Sequence, residues 1–532
     1  MLIPDCLIMA LACVLAFYVM RYNVHMFQLN GYKNVEHFNW IKKNHRKQGL
    51  LYVLAVIGII SIIFKSVIVY VFEVIFMLIA LKYFMYLKSS NTKKKLVYTN
   101  RVKRLMATET VICVVIIVLG MVLWERRAAW FAAALVCGVQ MVLTIAANYI
   151  NKPIEKAVNN HFINDAKRIL KGNPDMVIVG VTGSYGKTSM KYYLKTLLQD
   201  HFDVLITPES FNTPMGVVRT VREHMTPMNE VFICEMGARH VGDIKELCDL
   251  VHPKHGVITS VGPQHLETFF NIENVVNTKF ELADALPEDG MLILNGDNEL
   301  IREKGKQYKN AEYYYTAEPA STTEKASTTS TAKGYYAKDV SLSQMGTEFT
   351  VVTPIGESER FSMRLIGEYN VVNVVGAITV ANKLGVPLKD LRTAVRKIQP
   401  VAHRMQMLEH GNYTIIDDAY NSNPVGSKAA VETLAMFDGI KIMITPGMVE
   451  LGDKEDEFNY KFGTYAAKCC DYVLLVGRKH TEPIRKGLLD SGYDEEKTAS
   501  FDKIEDALSY AYNIKGTGHK YILLENDLPD NY

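Results

Sequence analysis

Residues 176–190 read MVIVGVTGSYGKTSM, and this stretch decides the fold of the central part of the chain. Its first half, up to Thr182, is apolar and rich in valine, which is typical of a buried strand. The strand runs into the loop Gly183–Gly186, and a helical pattern begins at Lys187. In such a turn, backbone N–H groups and the positive end of the helix dipole surround phosphate. The stretch therefore predicts a phosphate-binding loop.

The side chains of this loop favour ATP as the ligand. Lys187 would reach the terminal phosphates, and the Thr188 hydroxyl would bind Mg²⁺. The residues expected to contact the nucleotide here are Gly183, Ser184, Tyr185, Gly186, Lys187, Thr188 and Ser189. The match to the usual pattern is imperfect, because Val181 stands where the first glycine is expected and Gly180 lies one residue early. A plain glycine turn is the alternative.

The chain has 532 residues, 48% of them hydrophobic, and the apolar excess lies in its first third. The segments long and apolar enough to span a bilayer are 2–20, 50–87 (about two spans, broken at Lys65), 107–124 and 128–147. This pattern predicts five transmembrane helices within residues 1–150. A buried pair of core helices is the alternative. We interpret residues 2–20 as an anchor rather than a signal peptide, because they lack a basic start and a small-residue cleavage site.

The charged loops predict the orientation of these helices. Basic residues are concentrated in residues 21–49 and 88–104, which the positive-inside rule places in the cytoplasm. The N-terminus would then lie outside, and everything after Ile150 inside. We therefore expect a multi-pass protein of the cell membrane whose phosphate loop and following domains lie in the cytoplasm. The basic loops also predict contact with anionic membrane lipids.

Charge and cysteine usage exclude other classes of function. The net charge is only +2, and its basic excess lies beside the membrane segments, so we expect no nucleic-acid partner. The eight cysteines contain no C-x-x-C pair, which makes a disulfide framework or a zinc site a poor interpretation.

After Ile150 the pattern predicts two α/β units. A connecting helix over 151–174 leads to a parallel sheet, whose further strands are predicted at 231–237, 255–262 and 291–297. Residues 316–334 are rich in Ser, Thr and Ala and predict a flexible surface loop. An antiparallel hairpin region (338–365) and a helix (370–384) follow. The second unit begins near Ile398, with strands predicted at 413–419, 440–447, 471–477 and 520–526.

Two polar residues follow strands of the first sheet. Glu235 ends one strand, and His265 comes shortly after another. Ligands bind at the carboxyl ends of strands in open α/β sheets, and both side chains can bind Mg²⁺. A structural histidine and an ordinary surface glutamate are the alternatives.

The order of ten motifs carries a resemblance to a known family. The motifs are GVTGSYGKTS, SFNTPMG, EMGARHVGDI, ITSVGPQHLETF, NTKFELADAL, LNGDNE, GEYNVVN, HRMQ, DDAYNSNP and GMVELGD. Over residues 170–480 the chain resembles the Mur ligases, in particular the branch that adds D-alanyl-D-alanine to a muramoyl tripeptide. The resemblance implies an α/β fold with a phosphate-loop central domain (151–397) and a Rossmann-like C-terminal domain (398–532), and the apolar segments predict a bundle of about five transmembrane helices (1–150) before them.

The resemblance implies an ATP-dependent ligase of peptidoglycan synthesis. Such a ligase phosphorylates a substrate carboxylate, and an amine attacks the acyl phosphate to give an amide, ADP and phosphate. The expected partners are a UDP-linked or lipid-linked muropeptide and an amino acid or dipeptide amine. The residues implied as catalytic are Lys187, His265, Lys279 and Arg404, and those implied as metal ligands are Thr188, Glu235 and His265. The implied substrate residues are Thr207, Asn212, Thr213 and Asn421.

Further roles are implied for the nucleotide and for a modified lysine. Asn370 and Asn373 would lie near the adenine, Arg404 would reach the phosphates, and Asp418 would bind the ribose. Lys279 matches the lysine that many members of the family carbamylate, which would let it hold a second Mg²⁺. An unmodified surface lysine and a solvated turn at Asp417–Asp418 are the alternatives.

The sequence departs from the branch in four places. The membrane segments stand where the branch has a UDP-binding domain. The chain reads LLENDLPDNY where the branch has a basic, glycine-containing motif, so recognition of the amine is expected to differ. Tyr369 and Asn459 each stand where a histidine is usual.

Three interpretations therefore remain open. The first is a membrane-anchored ligase that acts on a cell-wall precursor. The second is a nucleotide-binding membrane scaffold or regulator with a decayed ligase site. The third is a ligase for another amino acid, similar to folylpolyglutamate-type synthases.

Overall fold

A computed structural model describes residues 2–44, 49–63, 67–89, 95–123, 128–319, 334–420, 422–478 and 480–527. The chain divides into two compact units, Met1–His161 and Phe162–Leu528. Most of the predicted loop at 316–334 lies outside the described residues, as does Asn421.

The first unit is helical. Its helices are α1 (Leu2–Leu29), α2 (Asn34–Asn44), α3 (Gly49–Ile63), α4 (Val67–Ser89), α5 (Asn100–Leu123) and the start of α6 (Ala128–Lys171). Each of the four apolar segments named above, which together predict five spans, lies largely within one or two of these helices. Aliphatic and aromatic side chains of α1, α3 and α4, among them Leu15, Leu54 and Phe84, form its core.

One helix among the described residues, Met9–Leu29, has the length and composition needed to cross a membrane, and Val74–Met85 is a shorter apolar helical stretch. The structure thus supports one of the five predicted spans by this criterion. It also joins the last span to the predicted connecting helix, because α6 continues through Pro153 to Lys171. No glycine or capping motif between Thr144 and Asn151 ends the helix.

The second unit contains two sheets. The first has nine strands in the order β2-β3-β1-β4-β5-β6-β7-β8-β9. Their bounds are β1 (Val177–Thr182), β2 (Val204–Ile206), β3 (Val231–Glu235), β4 (His255–Ile258), β5 (Leu292–Asn295), β6 (Ala311–Tyr315), β7 (Tyr335–Ser343), β8 (Gly346–Val352) and β9 (Ser358–Met363). Strands β1 to β6 pair in parallel, and β7, β8 and β9 form the predicted antiparallel region.

The helices of this part are α7 (Lys187–Leu198), α8 (Pro214–His224), α9 (Asp243–Val251), α10 (Leu266–Phe269), α11 (Ile272–Asp284), α12 (Glu299–Gly305), α13 (Glu368–Lys383) and α14 (Leu388–Lys397). Strand β1 is buried on both faces, as its run of valines predicts. One face packs against α7 and α13, and the other against α8, α9 and α11.

The second sheet has six strands in the order β10-β11-β15-β12-β13-β14. The strands are β10 (Gln406–His410), β11 (Tyr413–Asp418), β12 (Ile440–Thr445), β13 (Tyr472–Val476), β14 (Thr498–Phe501) and β15 (Lys520–Glu525). Only the edge pair β10 and β11 is antiparallel. The helices are α15 (Pro424–Ala435), α16 (Glu455–Cys469), α17 (Glu482–Asp490) and α18 (Ile504–Asn513), with short 3₁₀ turns at Gly452–Lys454 and Glu495–Lys497.

Candidate active site

The phosphate loop connects β1 to α7 and is fixed by the segment that follows β4. Ser184 N donates to the carbonyl of Ser260 at 2.8 Å, and Tyr185 N donates to the Ser260 hydroxyl at 2.7 Å. Gly186 has φ +81° and lies so close to Asn373 that a Cβ there would be 2.7 Å from the Asn373 amide oxygen. Only glycine fits this position without strain.

The Lys187 ammonium group lies over the loop. Its Nζ donates to the carbonyl oxygens of Gly183 at 2.7 Å and Ser184 at 3.1 Å. Burial lowers the pKa of Lys187 to about 8, although the negative charge of Glu235 opposes this effect. The structure thus concentrates positive charge at the phosphate loop, as the sequence predicts.

Glu235 connects several of the predicted residues. Its Oε1 accepts hydrogen bonds from the Thr188 hydroxyl and the Asn212 amide, each at 3.1 Å. Its Oε2 lies 2.8 Å from Nζ of Lys191, and both side chains are fully buried. Burial alone would raise the pKa of Glu235, but the charges of Lys191 and Lys187 outweigh it and hold the pKa below its usual value. Glu235 is therefore an ionised acceptor beside the phosphate loop.

His265 has a partner from the second sheet's domain. Its Nδ1 lies 2.6 Å from Oε2 of Glu450, and Arg239 lies 3.7 Å from the other oxygen of this carboxylate. Burial lowers the pKa of His265, while the hydrogen bond to Glu450 opposes that shift. A carboxylate that holds one ring nitrogen orients the other toward a metal in many metal sites.

These residues fit Mg²⁺ in part. The Thr188 hydroxyl and the Glu235 carboxylate are adjacent oxygen ligands of the kind that Mg²⁺ prefers. Within the described part of the chain, no group of three or more His, Cys, Asp and Glu side chains is arranged to hold a metal ion. The structure therefore joins two of the three predicted ligands, and it places His265 with Glu450.

Arg404 reaches the phosphate loop from the segment before β10. Its Nη2 donates to the Thr188 hydroxyl at 3.3 Å, and its guanidinium lies 4.7 Å from the centre of the Tyr420 ring. The contact brings a cation from the C-terminal part of the unit to the site, as the sequence predicts.

Asp418 has an acidic neighbour that the sequence analysis did not consider. Asp418 and Glu525 are direct partners in the pairing of β11 with β15. Met405 N donates to Asp418 at 3.1 Å, and the Ser422 hydroxyl donates to Glu525 at 2.6 Å. Burial raises the pKa of Asp418 to about 6 and raises that of Glu525 well above its usual value. The two carboxyl groups therefore share a proton near neutral pH.

The predicted adenine residues lie on α13, packed against α7. The Asn370 side chain accepts from the Tyr193 hydroxyl at 2.8 Å and donates to the Ile366 carbonyl at 2.8 Å. Asn373 donates to the Tyr369 carbonyl at 3.0 Å and lies against Gly186. Ser189 is buried on α7. Both asparagines are thus beside the phosphate loop and its helix.

Lys279 lies on α11 and is buried, with Nζ 6.0 Å from the centre of the Phe269 ring. Burial, reinforced by the charge of Lys187, lowers the pKa of Lys279 to about 7. The surface-lysine alternative is therefore wrong, because a surface lysine would be exposed.

The predicted substrate loop touches Glu235. The Thr207 hydroxyl accepts from Glu235 N at 3.2 Å, and Asn212 donates to the Glu235 carboxylate. Thr213 caps α8, with its hydroxyl accepting from Gly216 N at 3.4 Å. Asn421 lies outside the described residues.

Comparison with known families agrees with this geometry. Residues 181–381 match the Mur ligase middle domain, and residues 403–524 match the Mur ligase, glutamate ligase domain. The chain contains the middle and C-terminal domains of a Mur ligase. Members of the Mur ligase family are ATP-dependent acid–amino-acid ligases that form ADP.

The relatives of these Mur ligase domains include two enzymes named UDP-N-acetylmuramoyl-tripeptide–D-alanyl-D-alanine ligase. The Bacillus subtilis enzyme is 31% identical over 289 residues, which are 54% of this chain and 59% of the relative. The Escherichia coli enzyme is 28% identical over 306 residues, which are 57% of this chain and 65% of the relative. The chain thus spans about three fifths of the length of the curated relatives it matches.

Solved structures share the fold of the Mur ligase domains. MurF from Acinetobacter baumannii has a TM-score of 0.62 and 23% identity over 70% of this chain and 78% of that one. MurF ligase from Thermotoga maritima in complex with ADP has a TM-score of 0.59 and 24% identity over 69% and 80%.

Three charged residues at this site are not among the residues predicted from the sequence: Lys191, Glu450 and Glu525. Lys191 follows Lys187 by one helical turn, which places both lysines on one face of α7. Glu450 belongs to the GMVELGD motif that carried the resemblance. Glu525 ends a strand, the position where functional residues were sought in the first sheet.

Proposed function

We propose that this chain is an ATP-dependent ligase that forms an amide bond in a peptidoglycan precursor, with D-alanyl-D-alanine as the amine. The observation that supports it best is the junction at Thr188, which contacts Glu235 of the middle domain and Arg404 of the C-terminal domain. The similarity to two enzymes named UDP-N-acetylmuramoyl-tripeptide–D-alanyl-D-alanine ligase, over about three fifths of their length, supports the choice of amine.

The chemistry requires the positive charge found at this site. A substrate carboxylate oxygen attacks the terminal phosphorus of ATP, and the bond to ADP breaks. The amine then attacks the acyl carbon, phosphate leaves, and the nitrogen loses a proton. Lys187 and Arg404 stabilise the negative charge on the transferring phosphoryl group. Arg404 comes from a different domain, so closure of the two domains completes the site.

Mg²⁺ would be held by the Thr188 hydroxyl and Glu235, with His265 as a further ligand. When bound, the ion neutralises charge on the phosphates and orients them for in-line transfer. Glu450 keeps the His265 ring in one orientation through Nδ1.

Lys279 is proposed to be carbamylated. A lysine with a pKa of about 7 is largely neutral at physiological pH, and the neutral amine is the form that adds CO₂. The product is an anion, which would hold a second Mg²⁺ in the site.

The helices of the first unit are proposed to lie in the cell membrane, with the ligase domains in the cytoplasm. Helix α5 exposes a row of apolar side chains and buries a glutamate, whereas a helix in a water-soluble protein exposes its polar face. Its outward side chains are Val111, Val114, Val115, Val118, Leu119 and Val122, all roughly half exposed or more. On its inner side the buried Glu109 accepts from Gln140 at 2.6 Å and Thr144 at 2.9 Å. Such an apolar stripe needs lipid or protein to cover it.

The membrane location bears on the carboxylate substrate. The chain has membrane segments where related ligases have a UDP-binding domain, so both a UDP-linked and a lipid-linked muropeptide are candidates. The basic loops would also bind anionic lipids.

The test supplies the purified full chain with ATP, Mg²⁺ and pairs of muropeptide and amine, and measures phosphate release. We expect release that depends on one pair, with D-alanyl-D-alanine as the amine. Lys187→Ala should reduce turnover at least about 100-fold, because it removes charge stabilisation at the phosphates. Release with no pair would support a nucleotide-binding scaffold, and release with another amino acid would support the folylpolyglutamate-like alternative.

A further inference from the structure

Lys191 is a fully buried lysine on α7, one turn after Lys187. Lysine is almost never fully buried unless its charge is paired. Its Nζ lies 2.8 Å from Oε2 of Glu235 and donates to the backbone carbonyl of Glu209 at 2.6 Å. The contact with Glu235 lies beside the phosphate loop, and the contact with Glu209 lies in the predicted substrate loop.

The two carboxylate oxygens of Glu235 have different partners, and these partners fix the orientation of the side chain. Oε1 accepts from Thr188 and Asn212, the side that faces the phosphate loop and the substrate loop. Oε2 is held by Lys191. Lys191 therefore fixes the rotation of the carboxylate and leaves the Thr188 side of Glu235 directed at the phosphate loop.

Glu209 lies in the substrate loop, residues 207–213. Its φ is +39°, a conformation that costs energy for a residue other than glycine. The Glu209 side chain is exposed, so the contacts of its backbone hold this conformation. The Lys191 ammonium group is one of those contacts.

We infer that Lys191 is a positioning residue that couples the metal–nucleotide site to the substrate loop. One ammonium group holds the candidate metal carboxylate and the loop backbone at once. Ordering of Glu235 by Mg²⁺ and nucleotide therefore also orders the loop at Glu209, and the carboxylate substrate binds to the ordered loop. This inference rests on the proposed function for the identity of that substrate.

The experiment compares the full-length wild type with Lys191→Met, and uses Lys195→Met as the matched control. Lys195 lies one turn further along α7 and is exposed. Lys191→Arg tests whether a positive charge at this position is enough to keep the coupling between the nucleotide site and the substrate loop. If Lys191→Met melts well below the wild type, Lys191→Gln, which keeps a polar head, takes its place in the same assays.

The first assay needs no muropeptide. A protease that cuts after glutamate should cleave at Glu209, and Mg²⁺ with ADP should slow this cleavage in the wild type and in Lys195→Met. We expect cleavage about tenfold faster in Lys191→Met, with little protection by Mg²⁺ and ADP. Protection equal to that of the wild type would overturn the inference. Because this assay does not involve the ligase reaction, its result is independent of the proposed function.

The second assay measures KM. Lys191→Met should raise KM for the carboxylate substrate about tenfold and change the affinity for ADP without Mg²⁺ less than about twofold. A merely structural ion pair would instead weaken the binding of both ligands to the same extent in the variant that keeps a melting temperature near that of the wild type, and that outcome would also overturn the inference.

Discussion

Asp418 and Glu525 place two carboxyl groups side by side at the end of neighbouring strands. Two acids this close do not both ionise easily, and burial adds to the effect. The proton that they share makes the stability of the domain depend on pH.

We expect the contribution of Asp418 to the free energy of unfolding to fall as the pH rises from about 4 to about 6. The pKa of Asp418 is raised from 3.8 to about 6 in the folded chain, so in this window the folded state keeps a proton that the unfolded state has lost. For Asp418 alone the loss amounts to about 3 kcal/mol, since the shift is about two pKa units and one unit corresponds to about 1.4 kcal/mol. Urea unfolding at several pH values measures it.

Asp418→Asn should flatten this dependence, because the amide does not ionise. Asp502→Asn, an exposed acid of the same domain, is the control and should keep the slope. An unchanged slope in Asp418→Asn would show that the shared proton does not affect stability.

Lys279 allows a direct test of carbamylation. With ¹³C-labelled bicarbonate, the full chain should show a carbamate carbon signal that is absent from Lys279→Arg, because arginine remains protonated. The signal should weaken below about pH 7, where Lys279 takes up a proton. The exposed Lys195→Arg variant should keep the signal, and a wild type without it would contradict the modification.

The sequence pattern of α5 predicts that the segment is a helix, but it does not predict which side of the helix is buried. Its apolar run predicts a helix, which the structure confirms for Asn100–Leu123. The inward position of Glu109 follows from the packing of α6, and no sequence period in α5 alone reveals it. The strands that lie within a few residues of a predicted strand are β1, β3, β4, β5, β11, β12, β13 and β15, because buried parallel strands are short apolar runs. The short or edge strands β2, β6, β10 and β14 have no counterpart among the predictions.

The exposed apolar stripe of α5 gives a prediction at the level of this element. Val115→Arg should weaken retention in the membrane fraction, at a cost of about 3 kcal/mol for a charge at the centre of a bilayer. Val97→Arg, an exposed valine before the helix, is the control and should leave retention unchanged. Alkaline extraction of membranes measures both, and equal extraction would contradict a lipid-facing stripe.

For the second unit as a whole, the sequence predicted which motif residues meet at the site better than it predicted the contacts that link them. Lys187, Thr188, Glu235 and Arg404 come together as expected, because each belongs to a motif at a strand or helix end. The links through Lys191 and through Glu450 were not predicted. They depend on which residues of distant segments meet in space, and spacing along one chain does not contain that information.

The position of β15 in the second sheet has a consequence for biosynthesis. Lys520–Glu525 is inserted between β11 and β12, which come about 80 to 100 residues earlier in the chain and do not pair with each other. During translation, which proceeds from the N-terminus, the middle domain has all its strands early, whereas the C-terminal sheet stays in two pieces. A ribosome-bound nascent chain that ends before Lys520 should therefore resist proteolysis in its middle domain and be cleaved throughout residues 403–519.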